Sequence, residues 1–70
     1  MRERDPLLSI EQVSDWTGLA VQSLYGLRSR GEGPPSLKIS NRLRYRESAV
    51  ENWIREQEAA EADRVSRVAG

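Results

Sequence analysis

Apolar residues recur at the spacing of amphipathic helices in three stretches of this 70-residue chain. In the first stretch Val13 and Trp16 are three positions apart, which places both on the inner face of a predicted helix over about residues 10–16. Ser9 and Gln12 form a capping box at its start, because each side chain can bind the backbone N–H of the other residue. The first predicted element is therefore a short helix with two core residues.

The second and third stretches predict two further helices. Leu24 and Leu27 face the core from a helix over about residues 21–30. This helix follows Ala20, a weak N-cap because its side chain accepts no hydrogen bond. The third helix starts near residue 47, and three apolar residues at positions i, i+3 and i+4 form its inner stripe: Val50, Trp53 and Ile54.

Between the second and third helices the pattern changes to the strict alternation that is typical of β-strands. Leu37 and Ile39 alternate with polar residues, and after a turn so do Leu43 and Tyr45. The pattern predicts a hairpin with a loop over residues 40–42 and one inner face that carries all four apolar side chains. The other face is predicted to be basic, with Lys38, Arg44 and, near the loop, Arg42.

These elements fit one small domain. Two short helices joined by a tight Gly turn, a basic hairpin and a third helix make a fold that is mainly α with a small β-hairpin, a winged helix-turn-helix. We expect a flexible arm over residues 1–6, the winged helix-turn-helix domain over residues 7–57, and an acidic tail over residues 58–70 that is partly helical or disordered.

Charge is concentrated in one part of the chain, although the formal total is zero. Residues 22–46 contain six basic residues and one acid, a local charge of +5, whereas residues 1–21 sum to −2 and residues 47–70 to −3. Positive charge gathered on one helix and one hairpin is typical of a nucleic-acid-binding protein. We therefore predict double-stranded DNA as the partner and disfavour a protein-interaction module that binds no DNA.

Composition argues against an enzyme. The chain has no cysteine and no histidine, so the commonest metal ligands and the commonest general base are missing. The glutamates after residue 55 lie in a polar stretch and fit a solvated helix face. We predict no catalytic residue, metal, cofactor or small-molecule substrate. With no membrane-spanning run and no apolar signal stretch, we expect a cytoplasmic protein.

Several short motifs follow one another in a fixed order across about residues 7–55. In chain order they are residues 7–13 (LLSIEQV), residues 17–19 (TGL), residues 23–27 (SLYGL), Arg30-Gly31, Pro35 and residues 45–54 (YRESAVENWI). In this order they resemble the excisionase and MerR-type small winged helix-turn-helix domains. The chain departs from the family pattern at Ala20, Val21 and Gln22, where a Ser or Thr cap and basic residues are common.

The resemblance implies an excisionase, a recombination directionality factor of a phage or other mobile element. Such proteins bind near an attachment site, bend the DNA and help the integrase to assemble in the excision direction. The implied partners are integrase and further copies of the chain that associate cooperatively along DNA. The related AlpA-type regulators share the domain and act on transcription, which is the alternative. Ten arginines against one lysine fit a GC-rich genome, such as that of an actinobacterial phage.

The second helix is predicted to be the recognition helix, and six of its residues are candidates for DNA contact: Val21, Gln22, Ser23, Tyr25, Arg28 and Arg30. Gln22 can bond an adenine edge, and Arg28 can reach a phosphate or a guanine. Val21 touches a thymine methyl or is partly buried, and Tyr25 binds a phosphate or packs on the hairpin. Arg30 can instead bind the last carbonyls of the helix.

The hairpin is predicted to supply five more DNA contacts: Lys38, Asn41, Arg42, Arg44 and Arg46. Arg42 and Arg44 are the candidates for a minor groove, whereas Lys38 and Arg46 suit phosphates. The alternative is a strand face that charge protects from aggregation, which explains one or two positive charges better than four. The acidic third helix and tail are expected to point away from DNA, where they bind a partner such as integrase or keep the chain soluble.

Overall fold

Three helices and three strands make up the part of the chain that the structure, a computed structural model, describes: residues 5–69, with side chains over residues 5–66. In chain order they are β1 (Leu7–Ser9), α1 (Ile10–Thr17), α2 (Val21–Ser29), β2 (Leu37–Ile39), β3 (Arg42–Arg46) and α3 (Glu47–Ala69). The arrangement is a winged helix-turn-helix, as the sequence predicts. The hairpin formed by β2 and β3 is called the wing below.

The boundaries of α1 and α2 follow from local chemistry. The Ser9 hydroxyl accepts the Gln12 N–H at 3.1 Å, and the Gln12 side chain accepts the Ser9 N–H at 2.8 Å, which confirms the capping box. Gly18 ends α1 with a φ of 79°, in the left-handed region that favours glycine. Ala20 precedes α2 without a side-chain cap bond, so α2 depends more on packing than α1 does.

The three strands form one antiparallel sheet in the order β1-β3-β2. Leu8 of β1 lies opposite Tyr45 of β3, and Leu37 of β2 lies opposite Arg44. The sequence pattern does not reveal β1, because three residues are too few to show alternation. β1 forms because β3 supplies its hydrogen-bond partners, and it attaches the wing to the segment that leads into α1.

The turn of the wing is shorter than predicted. It contains two residues, Ser40 and Asn41, with positive φ angles of 50° and 66°. This is the geometry of a type I′ turn, which suits the twist of a hairpin. Arg42 is therefore the first residue of β3 and lies opposite Ile39, so the predicted loop over residues 40–42 is one residue too long.

The shorter turn moves the side chains of β2 to the other face of the sheet. Leu43 and Tyr45 are buried as predicted, but Leu37 and Ile39 are 38% and 44% exposed. Facing residues of antiparallel strands project to the same side, so Lys38, opposite Leu43, points towards the helices. The prediction of one apolar face for both strands is wrong, because a one-residue change of register turns over a whole strand.

Six buried side chains from α1, α2, β3 and α3 form the core: Ile10, Val13, Leu24, Leu43, Tyr45 and Val50. Several half-buried apolar residues pack around them, among them Leu8, Leu27 and Ile54. Each of the three helices therefore contributes to one small core, with β3 between them. This core fixes α2 relative to the wing.

The two tryptophans differ from their predicted core positions. Trp16 is 44% exposed, because Ile10 and Val13 already occupy the inner side of α1. Trp16 instead lies at the edge where α1 meets α3. Trp53 is half-buried, and its indole N–H donates to the Glu32 carbonyl at 3.0 Å, which fastens the loop between α2 and β2 to α3.

Asp5 and Pro6, which the sequence analysis places in a flexible arm, are bound to the start of α3. The Asp5 carboxylate accepts the backbone N–H of Ser48 at 2.9 Å and also the Ser48 hydroxyl. The Pro6 carbonyl accepts the N–H of Glu47 at 3.0 Å. A carboxylate at a helix N-terminus satisfies N–H groups that have no partner within the helix. The rest of the predicted arm, residues 1–4, lies outside the described residues.

α3 continues as a helix through the described part of the predicted tail. Residues 55–66 are all exposed, so packing within the chain supports little of this stretch. Two ion pairs lie along it, between Arg55 and Glu51 at 3.1 Å and between Arg64 and Glu61 at 2.6 Å. Exposed pairs of this kind contribute about 0.3–0.5 kcal/mol each, so the propensity of Glu, Ala and Arg for helix accounts for most of its order.

Loss of the capping box should destabilise the domain measurably. Ser9→Ala leaves the Gln12 backbone N–H at the start of α1 without its partner, and we expect a loss of about 1 kcal/mol in the free energy of unfolding. Urea denaturation followed by circular dichroism measures it. Ser66→Ala, on the exposed part of α3, is the matched control and should change the free energy by less than about 0.5 kcal/mol. Equal effects of the two substitutions would contradict a stabilising cap.

Candidate nucleic-acid interface

α2 turns one side to the core and leaves most of its first turns exposed. Leu24 is buried, and Val21 is half-buried against the core, as the alternative for this residue anticipated. Gln22, Ser23 and Tyr25 are exposed. Three of the predicted contact residues of α2 are therefore open to a ligand, whereas Val21 offers only part of its side chain.

The two arginines at the end of α2 have different surroundings. Arg28 is exposed, and its Nε donates to the Ser36 hydroxyl at 2.9 Å, just before β2. Arg30 follows the last residue of α2, and its Nε lies 3.1 Å from the Glu32 carboxylate. Arg28 thus connects α2 to the wing, while the Glu32 carboxylate offsets part of the positive charge of Arg30. Arg28 is the better placed of the two to meet an external phosphate.

The five predicted wing residues surround the turn and β3. Lys38, Asn41, Arg42 and Arg46 are exposed and Arg44 is half-buried. Arg44 donates to the Leu43 carbonyl at 2.9 Å, and Arg46 donates to the Asp5 carbonyl at 3.2 Å. The alternation of β3 places its three arginines on the outer face of the sheet, whereas Lys38 lies on the face towards the helices.

α2, the wing and the start of α1 border one groove of about 430 Å³, called the helix–wing groove here. Ten residues line it: Ser9, Ile10, Glu11, Tyr25, Arg28, Lys38, Asn41, Arg42, Leu43 and Arg44. Four of them are basic and one is acidic, so the groove favours an anionic ligand. The structure therefore brings two predicted residues of α2 together with four of the wing.

The other predicted residues do not line this groove: Val21, Gln22, Ser23, Arg30 and Arg46. Gln22 and Ser23 lie at the beginning of α2, which is the part of a recognition helix that meets base edges. Arg46 lies at the far end of β3 from the turn. Gln22 and Ser23 add exposed polar positions outside the groove, and Arg46 adds a positive charge.

Two features of the site escape prediction from the sequence. The start of α1 borders the groove through Ser9, Ile10 and Glu11, because β1 pairs with β3 and brings this segment beside the wing. Ser36 orients Arg28, although eight positions separate the two residues. Neither feature has a local sequence signal, since both depend on the packing of separate elements.

Tyr45 lies beneath the site with an unusual environment. It is 1% exposed, and its hydroxyl has no hydrogen-bond partner among the described residues. Burial raises the pKa of the Tyr45 hydroxyl above its usual value of 10.0, the positive charge of Arg28 opposes that shift, and Tyr25 adds to it. An unsatisfied buried hydroxyl costs about 1–3 kcal/mol, so its ring rather than its hydroxyl stabilises the core.

The chain belongs to a helix-turn-helix domain family, because the family model described as a helix-turn-helix domain matches residues 7–58. The match includes α1, α2, the wing and the first half of α3. No curated protein and no solved structure matches the chain significantly. The class that the fold and the family define is a DNA-binding domain, and such domains are typically not enzymes.

None of the helices within residues 5–69 combines the length and the apolar character needed to cross a membrane. Over the same residues, no group of three or more acidic side chains is arranged to hold a metal ion.

Removal of the unsatisfied hydroxyl should not weaken the domain at neutral pH. We expect Tyr45→Phe to keep or raise the free energy of unfolding at pH 7, since the ring is retained and the desolvated hydroxyl is lost. As the pH rises through 10, the unfolded tyrosine ionises first, so the natural chain should lose stability that the Phe variant keeps. Urea denaturation at both pH values measures the difference. A loss above about 1 kcal/mol for Tyr45→Phe at pH 7 would mean that the hydroxyl has a partner.

Proposed function

We propose that this protein is an excisionase, an architectural and sequence-specific DNA-binding protein that directs integrase-mediated recombination towards excision. The observation that supports it is the helix–wing groove, where side chains of α2 and the wing form one basic surface. The excision role is what the resemblance to excisionases implies, with attachment-site DNA and integrase as partners. A small AlpA-like transcription regulator is the alternative, because it would use the same surface.

The proposed docking places α2 in the major groove. Gln22 and Ser23 are exposed at the start of α2, where the first turns of a recognition helix meet base edges. Gln22 has the amide geometry to bond the N6 and N7 atoms of adenine. Tyr25 and Arg28, further along α2, suit phosphates at the edge of the groove. The beginning of α2 would then recognise the base sequence of the DNA, and its end would fix the position of the protein on the duplex.

The wing is proposed to reach the adjacent minor groove. Asn41 and Arg42 are exposed at its tip, and Arg44 follows on the same face as Arg42. An arginine in a narrow minor groove gains from the enhanced negative potential there, and narrowing of that groove accompanies a bend. Lys38 and Arg46 are proposed to neutralise phosphates. The wing would thus favour DNA whose minor groove is already narrow, or DNA that bends easily.

The protein is further proposed to act in the cytoplasm of a bacterial host, on the DNA of a phage or other mobile element. Cooperative association of several copies along the DNA belongs to this proposal. The local charge of +5 over residues 22–46 supports a large electrostatic share of the affinity.

Gln22 and Arg28 should affect binding in different ways. We expect Gln22→Ala to lose about 1–3 kcal/mol on the preferred site and little on random DNA, since it removes a base contact. Arg28→Ala should weaken both and lower the slope of log affinity against log salt by about one, since it removes a phosphate contact. Fluorescence anisotropy over a salt series measures both. Equal losses on the two DNAs for Gln22→Ala, or an unchanged slope for Arg28→Ala, would refute the assigned role.

The wing arginines should recognise groove shape. The double variant Arg42→Ala plus Arg44→Ala should lose more affinity on a site with a flanking A-tract than on one with G·C there. Gel-shift titrations on the two sites measure the difference. The fold should survive, because Leu43 and Tyr45 keep their buried positions, and a melting curve checks it.

A matched control removes the same charge elsewhere. Arg55→Ala plus Arg64→Ala lies on the exposed part of α3 and should lower the affinity equally, and only slightly, on the two sites. Equal losses on both sites for the wing variant would mean that Arg42 and Arg44 neutralise phosphates without sensing groove width.

The excision role itself is tested by recombination. We expect the full chain, added to its cognate integrase and attachment sites, to stimulate excision, and Arg28→Ala to fail at a protein concentration where the natural chain saturates. A promoter-reporter measurement on the same DNA is the comparison. Altered transcription with no effect on excision would overturn the excisionase proposal in favour of the AlpA-like regulator.

A further inference from the structure

The Tyr45 hydroxyl is a buried polar group that the docking described above does not use. Tyr45 is 1% exposed, and its hydroxyl has no hydrogen-bond partner among the described residues. Folding removes water from this group without replacing the lost hydrogen bonds, which lowers stability. A phenylalanine ring would fill the same place in the core without that cost. A hydroxyl at such a position points to a partner that the free chain lacks.

The hydroxyl lies beside the helix–wing groove. Burial raises the pKa of the Tyr45 hydroxyl most, but Arg28 lowers it and Tyr25 raises it as well, so both side chains lie close to the hydroxyl. Tyr25 and Arg28 are the two residues that α2 contributes to the lining of the groove. The groove is basic and therefore favours an anion. The unsatisfied hydroxyl thus lies next to the place where an anion would bind.

Arg28 can turn away from its position in the free chain. It is exposed, and its Nε donates to the Ser36 hydroxyl at 2.9 Å in an exposed hydrogen bond between two side chains. A phosphate oxygen carries negative charge, so it accepts a stronger hydrogen bond from a guanidinium than a serine hydroxyl does. Tyr25 is 48% exposed, so the core does not fix it either. A phosphate that binds Arg28 can therefore come within reach of the Tyr45 hydroxyl.

We propose that Tyr45 is a further DNA-contact residue, and that its ligand is one phosphate of the DNA backbone. The phosphate displaces Ser36 from Arg28, and the Tyr45 hydroxyl donates a hydrogen bond to one of the phosphate oxygens. The hydroxyl is unsatisfied in the free chain and satisfied on DNA. Arg28 supplies the charge that attracts the phosphate, and Tyr45 supplies a neutral donor that fixes its position.

This inference rests on the DNA binding in the proposed function and deepens it by naming a contact residue that lies in the core. A duplex of random sequence is a sufficient ligand, because a phosphate contact does not depend on base sequence. If the natural chain fails to bind this duplex, DNA binding and the contact are refuted together. If the natural chain binds it and Tyr45→Phe binds it equally well, the contact alone is refuted.

Tyr45→Phe should separate affinity from stability. Fluorescence anisotropy with a labelled duplex should show that it weakens DNA binding on the order of tenfold, because it removes a hydrogen bond to a charged group. The slope of log affinity against log salt should stay unchanged, since no charge is removed. Urea denaturation should show no loss of stability for the same variant. A loss of affinity below about twofold would contradict the proposal.

Ser14→Ala is the matched control. It also removes one hydroxyl, which donates to the Leu19 carbonyl at 2.6 Å, and neither of these residues lines the helix–wing groove. Ser14→Ala should lower stability and leave the affinity for DNA within about twofold of the natural chain, the reverse of Tyr45→Phe. Equal losses of affinity for the two variants would mean that Tyr45→Phe acts through the fold, and the proposal would be wrong.

A double-mutant cycle tests whether Tyr45 and Arg28 share one phosphate. In the Arg28→Ala background the phosphate is no longer held beside the hydroxyl, so Tyr45→Phe should weaken binding less than about twofold further. The same tenfold loss with and without Arg28 would show that the two residues act independently, which contradicts a shared phosphate.

Carbon NMR of the tyrosine ring observes the contact itself. The chain has two tyrosines, so Tyr25→Phe leaves one signal from a hydroxyl-bearing ring carbon, that of Tyr45. Titration with the duplex should move this signal to a saturating value as the hydroxyl gains an acceptor. Inorganic phosphate at about millimolar concentration should not move it, because a single anion lacks the other contacts of a duplex. An unchanged signal at saturating duplex would overturn the contact, and a saturating shift with inorganic phosphate would assign the site to a small anion instead of DNA.

Discussion

The alternation of side chains along β3 is the constraint on which the rest of the structure depends. Within five residues it sends Leu43 and Tyr45 into the core and three arginines to the opposite face. The same strand pairs with β1 on one edge and β2 on the other. Core packing and the basic wing are thus two sides of one element, and a slip of one residue would bury arginine and expose tyrosine.

The position of α2 relative to the wing follows from that constraint. Leu24 packs on the core side of β3, and the bond from Arg28 to Ser36 joins the exposed side of α2 to the beginning of β2. On the other flank, the Trp53 N–H holds the connecting loop at the Glu32 carbonyl. The spacing between α2 and the wing is therefore set by packing and by two hydrogen bonds.

The features that could be predicted from the sequence are local ones. The capping box of Ser9 and the left-handed Gly18 depend on residues within a few positions of each other. The alternation of buried and exposed residues around Leu43 is also local, because it does not depend on which strand pairs with β3. The features that could not be predicted depend on distant pairings. β1 exists through β3, and Asp5 is ordered because α3 starts beside it.

Two other errors have different causes. Trp16 matches the pattern of a core residue, but a short α1 has room for only two buried side chains. The length of the turn in the wing could not be predicted from the sequence. Ser40 and Asn41 adopt positive φ angles, which the sequence permits but does not require. The arginines of β3 lie on one face of the sheet despite this, since β3 keeps its own alternation whatever the register of β2.

Amide chemical shifts of the full chain, measured by NMR during titration with a duplex, test the central claim most directly. The account predicts that the shifts that change most lie in α2 and the wing, over residues 21–30 and 37–46, and that residues 55–66 change little at a salt concentration that favours specific binding. Changes concentrated on α3, or no saturable change in α2 and the wing, would contradict the claim that these two elements together hold DNA.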